Sequence, residues 1–186
     1  MDASGGAASQ ATIRVALQGQ YHAALAMLRE AIERCPDALW LDETPRNAFW
    51  RVAYHTLFFT HLYLLDRSED FVPWEGHQDG FRDGDGLVRP AEPGQPAEAG
   101  PRPYLKAEVL AYWAVCDAMV DERLGAMNLA SPDSGFSWYP ISKLEHQIVN
   151  IRHIAHHASQ LADRVRAAGD IRLKWVGTGH GRPPDA

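Results

Sequence analysis

Ser142-Lys143-Leu144-Glu145-His146-Gln147-Ile148-Val149-Asn150-Ile151-Arg152-His153-Ile154-Ala155-His156-His157-Ala158-Ser159-Gln160-Leu161-Ala162-Asp163-Arg164 has no proline or glycine and repeats its apolar residues at steps of three and four, the spacing of a helix. At about 100° per residue its side chains sort into three arcs. Leu144, Ile148, Ile151, Ala155, Ala158 and Ala162 form an apolar arc; Glu145, Arg152, His156, Ser159 and Asp163 form a solvated one. His146, Asn150, His153, His157, Gln160 and Arg164 run between them as the polar wall of a pocket. Ser142 and Glu145 have the spacing of a capping box, in which each side chain satisfies a free backbone donor.

A helix with one apolar arc needs partners to cover it. Residues 13–34 carry Leu17, Tyr21, Ala24, Leu28 and Ile32, continued by Cys35, on one stripe that ends at Pro36. Thr44-Pro45, a capping residue before proline at the first helical position, opens a second helix running to about Asp66, apolar nearly all round. Residues 105–127 repeat the stripe with Val109, Trp113, Cys116, Val120, Leu124 and Met127. Nothing alternates with period two. The reading is an all-α four-helix bundle over residues 11–168, with residues 1–10 a flexible N-terminus and 169–186 a C-terminal tail docking through Ile171, Leu173, Trp175 and Val176. Residues 67–104, with six prolines and six glycines, read as a long irregular connection between the second and third helices, either a lid or partly disordered.

Composition narrows the function classes. The 186 residues suit one domain, and the net charge of −6 without any Lys/Arg block argues against nucleic acid or an anionic membrane as the main partner. Small molecules are expected instead. No segment is apolar enough to span a bilayer, and residues 1–10 lack the features of a secretory signal. Cys35 and Cys116 are isolated, so no disulfide framework is indicated. The expected location is cytoplasmic.

Chemistry enters with the histidines. His153 and His157 are one turn apart and can converge on one ion. His55 lies on the same face of the second helix as Ala48, Val52, Phe59 and Leu62, pointing inward, where an imidazole needs a polar partner. His146 lies about 10 Å along the axis from His153, too far to share an ion, and His61 is rotated away from His55. Spacing alone leaves two readings open: a three-histidine metal site, or satisfied core and surface histidines. Asn150 and Gln160 fit routine interhelical bonding as well as a pocket wall, Arg164 a solvated charge as well as an anion contact. Trp50, Phe58, Phe59 and Trp113 are expected in the core, with substrate contact as their second role.

Phe49-Trp50-Arg51-Val52-Ala53-Tyr54-His55-Thr56-Leu57, together with His153-Ile154-Ala155-His156-His157-Ala158-Ser159-Gln160-Leu161, resembles the DinB-like (DinB/YfiT) superfamily of small bacterial proteins. His153, His157 and Gln160 match the last-helix pattern, while Ala158 and Ser159 stand where Arg-Gly is usual. The resemblance extends over roughly residues 11–168. It implies a four-helix bundle, a divalent metal held by His55, His153 and His157, and a homodimer, while pocket or supporting roles for His146, Asn150, Gln160 and Arg164 rest on their stripe of the last helix. It also implies chemistry of thiol-dependent transferases and isomerases. Three imidazoles leave a coordination position open, as in catalytic zinc sites. The leading expectation is zinc or nickel activating a low-molecular-weight thiol toward a small electrophile. The alternatives are a non-enzymatic metal-binding or stress-response protein with a structural ion, and a metal-dependent hydrolase.

Overall fold

Proline at position 36 cannot donate the backbone hydrogen bond a continuing helix requires, and the first helix stops before it. The computed structural model describes residues 3–45, 47–79 and 102–180. There, α1 spans Ala3–Arg34, so residues 3–10, expected as a flexible terminus, are helical. The four-residue α2 (Asp37–Trp40) is too short to leave a periodic trace in the sequence. Then come α3 (Phe49–Tyr63), α4 (Lys106–Ala126) and α5 (Lys143–Gly169). Among the described residues no strand occurs, and no helix is long and apolar enough to cross a membrane.

The expected cap of the second long helix is wrong. Thr44 gives its backbone N–H to the Asp42 carboxylate at 2.9 Å, closing a local turn of the kind aspartate favours. The helix is instead entered from Ala48 with no side-chain cap. The other cap is half made: Ser142 Oγ accepts from the Glu145 N–H, while no return bond from the Glu145 carboxylate is seen.

α1 and α3 each pack against both α4 and α5, which puts them at opposite corners of a four-helix arrangement. α1 is antiparallel to α4, since Arg14 reaches the carbonyls of Leu124 and Met127 while Trp113 donates to Leu25 O. α3 is antiparallel to α5, through Asn47–Arg164, Thr60–Asn150 and Tyr63–Gln147 bonds. α3 and α4 run parallel: Trp50 meets Tyr104, and farther along Cys116 Sγ donates to Leu57 O. Two parallel neighbours demand a connection that returns along the helix length, about 22 Å for 15 residues. That demand explains the long 67–104 segment. Its described start is docked rather than loose: Trp74 stacks on Tyr112 at 4.7 Å, Tyr104 Oη donates to Gly76 O, and Phe71 packs on Phe58. The lid or disorder expected for the remainder falls on residues 80–101, outside the described residues.

Every residue of the stripes expected on α1 and α4 is buried. α3 buries 12 of its 15 residues, as its apolar circumference requires. The arcs of α5 are different from expectation. Ile148, assigned inward, is 45% exposed, whereas His146, Gln147 and Asn150 are fully buried beside Ile154, Leu161 and Val165. Backbone carbonyls of α3 make this workable. Gln147 donates to Tyr63 O at 3.0 Å and accepts from Tyr21 Oη at 2.7 Å, and Asn150 donates to Thr60 O at 3.3 Å. Each such bond contributes about 1 kcal/mol net, but leaving its partner buried and unpaired costs about 1–3 kcal/mol.

α5 ends with Asp170 in the left-handed conformation, φ 51°, a geometry Asp tolerates better than most residues. Beyond it Ile171 and Leu173 pack on the core, and the tail runs back along α1, with Lys174 N donating to Glu30 Oε2 and Gly179 N to Gly19 O. A Cβ on Gly179 would lie 2.4 Å from His22 Cβ and 3.1 Å from Gly19 O, so this approach needs glycine at 179. Trp175, expected to dock, is 82% exposed. Cys35 and Cys116 are free and buried.

Candidate metal centre

The antiparallel register of α3 and α5 sets His55 opposite His153 and His157. Among the described residues these are the group of ligating side chains brought together, with one nitrogen from each lying within 4.8 Å of the others. His55 Nε2 and His153 Nε2 are 3.1 Å apart, and the His157 ring lies 5.0 Å from that of His55 and 4.6 Å from that of His153. Imidazoles bound to one zinc at 2.0–2.1 Å have nitrogens about 3.3 Å apart in tetrahedral geometry. The His55–His153 separation matches that edge. The donor set is all imidazole, suited to zinc, nickel, copper or iron rather than magnesium or calcium.

Two neighbours support the triad. His157 Nδ1 is 2.8 Å from Gln160 Oε1; an amide oxygen can only accept, so the proton sits on Nδ1 and the Nε2 lone pair is left for a ligand role. Phe59, one turn beyond His55, packs edge-on against His55 and His153 at 4.9 and 5.5 Å. Burial pushes the His157 ring down to about 4, against the raising effect of Gln160 and with the help of His55, His156 and Arg164. It is therefore neutral at pH 7, as a ligand must be.

The other expected site residues divide. Gln160 is at the site. Arg164, half-buried, donates from Nη1 to Asn47 O at 2.9 Å and braces the approach to α3. Asn150 serves the α3–α5 contact instead of a pocket wall. His146 is fully buried among Tyr63, Phe136 and Tyr139, away from the triad, with neither ring nitrogen hydrogen-bonded. It lines no pocket with the three converging histidines, because seven residues of helix separate it from His153. His61 pairs with Tyr112 Oη at 3.1 Å, and His156 is exposed. A cleft of about 600 Å³ lies over Asp66, Arg67, Asp133, Phe136 and Lys143, apart from the three histidines. Its floor is Lys143, which sequence reasoning missed: a 4%-exposed lysine whose ammonium donates to Asp66 O and Ser134 O. A lysine one residue past a helix cap gives no periodic signal of burial.

Comparison of the chain with protein-family models, with curated proteins and with solved structures finds no match.

Proposed function

We propose that this protein is a metal-dependent enzyme of the DinB-like kind, in which His55, His153 and His157 hold a divalent ion, zinc or nickel, and a low-molecular-weight thiol is the nucleophile toward a small electrophile. The observation that carries the reading is the convergence of three imidazole nitrogens within 4.8 Å, contributed by two helices far apart in sequence. A bound ion would supply Lewis acidity, favouring the deprotonated form of a thiol or water at neutral pH. Gln160 orients the His157 ring, and Phe59 keeps one side of the site apolar. The protein offers no nucleophilic cysteine of its own at this place: Cys116 is buried against Leu57 O, and burial pushes the Cys35 thiol up to about 12.

A purely structural ion is the weaker reading, because α3 and α5 are already tied by three side-chain-to-backbone bonds at Asn47, Thr60 and Tyr63. A hydrolase is weaker too, since no carboxylate joins the three histidines among the described residues. The deciding experiment is chelation of the purified holoprotein. The apo form is expected to keep its far-ultraviolet helical spectrum while losing transfer of glutathione, mycothiol or bacillithiol to small electrophiles. Helix loss on chelation would favour the structural ion; no transfer by the holoprotein with any thiol would refute the enzyme.

A further inference from the structure

Arg164 sits on the stripe of α5 that carries the ligands, following His153, His157 and Gln160 at steps of four, three and four residues. Side chains on a helix lean toward its N-terminus, which on this stripe is the direction of Gln160 and His157. Its guanidinium is half-buried, and the bond it makes is to a neutral carbonyl, Asn47 O, with one of its five N–H groups. Among the described residues it makes no ion pair. Asp163 next to it pairs with Arg166 at 2.5 Å, and Asp42, within electrostatic reach, is exposed and turned to the Thr44 N–H. Arg51, one turn from His55 toward the same end of the site, lies with its Cζ 4.4 Å over the buried Trp50 ring. Of these two cations Arg164 is the one on the ligands' stripe, with one of its five N–H groups held by a carbonyl.

We propose that Arg164 recognises a carboxylate on the small molecule that meets the open face of the three-histidine site, an inference that rests on the metal-and-thiol reading above. A planar guanidinium takes a carboxylate with two parallel hydrogen bonds. The two-turn separation of Arg164 from His157, about 10 Å along the axis before the side chain leans back, leaves room for a few carbons between the carboxylate and the reacting atom. That carboxylate belongs either to the thiol or to its electrophilic partner.

Both sources are separable with the full-length protein loaded with cobalt(II), whose absorption reports a thiolate bound to the ion. In the first arm 2-mercaptoethanol is compared with mercaptoacetate, 3-mercaptopropionate and 4-mercaptobutyrate. In the second, succinate is titrated by calorimetry into protein saturated with 2-mercaptoethanol. The expected result is a preference of about tenfold or more for a mercaptoacid, or succinate binding in the second arm. That preference disappears in Arg164→Gln and returns in part in Arg164→Lys. Metal content and melting temperature of each variant are measured alongside, since lost bracing at Asn47 lowers stability without changing the ratio between ligands. Thiols that perturb the spectrum with equal affinity, together with no succinate binding, would overturn the carboxylate assignment and leave the metal-and-thiol reading standing. No spectral response to any thiol would overturn both.

Discussion

His146 and the pair His153 and His157 ride the same stripe of α5, yet the helix places them in opposite surroundings. His153 and His157 meet a third imidazole across the α3 interface. His146, fully buried, meets the rings of Tyr63, Phe136 and Tyr139, and neither of its nitrogens has a partner. Both environments hold a ring near a pKa of about 4, His146 through burial and then the charge of Lys143, His157 through burial first of all. Burial and a depressed pKa therefore do not separate a ligand from a packed core histidine. Convergence of ring nitrogens is what marks the group that could hold an ion.

The bluntest way to break this contrast is to count ions. His55→Ala, His153→Ala and His157→Ala should each fall from one equivalent of metal to background in elemental analysis, while His146→Ala and His156→Ala keep it. Full metal in any of the first three would dissolve the distinction. A finer cut is Gln160→Leu, which removes the acceptor at His157 Nδ1. Loss of such a supporting bond costs about 10–100-fold in metal affinity, measurable by competition with a chromophoric chelator, and unchanged affinity would show that His157 needs no orienting partner.

On the other side of the comparison, His146→Leu should stabilise the protein by about 1–3 kcal/mol, because an unpaired buried polar group is replaced by an apolar one of similar size. At roughly 2–4 °C per kcal/mol for a domain of this length, a scanning melt resolves it. A lower melting temperature would mean that His146 has a polar role. The smallest effect is its pH dependence. With a folded pKa of about 4 against the ordinary histidine value of 6.5, the unfolded chain binds more protons between those limits, so wild-type stability falls as pH drops through that window and is unaffected above it. The stabilisation of His146→Leu over the wild type should consequently widen from pH 6.5 down to about 4. Parallel stability curves for the two proteins would contradict the assignment.

How much of this was readable in the sequence differs by helix. On α1 and α4 the buried stripe is apolar, so every residue that the spacing picks from Leu17 to Cys35 and from Val109 to Met127 is buried, although Leu25 and Tyr112, buried beside the stripes, escape it. On α5 a polar patch is buried, because Gln147 and Asn150 bond to carbonyls of α3 some 84 and 90 residues away. Periodicity in one segment carries no trace of such distant acceptors, and so it points Ile148 inward and passes over Gln147. The signal that was available is the set Ile154, Leu161 and Val165, whose common face passes through Gln147 rather than Ile148. The three converging histidines were legible because a one-turn histidine pair and an inward-facing imidazole in an apolar helix are each out of keeping with their surroundings. The start of α3 was not, since Asp42 diverts Thr44 into a turn.

The near-complete enclosure of α3 has a consequence for how the chain is made. Its apolar circumference is covered by α4 and α5, both of which follow it, and its bonds to α5 span 84, 90 and 117 residues. At a synthesis rate of roughly 5–20 residues per second, the most apolar helix waits on the order of 5–20 seconds for its partners. During that interval its exposed Trp50, Phe58 and Phe59 are open to chaperones and to other nascent chains, so the yield of native protein in cells depends on the speed of translation through residues 64–164 as well as on the stability of the finished fold.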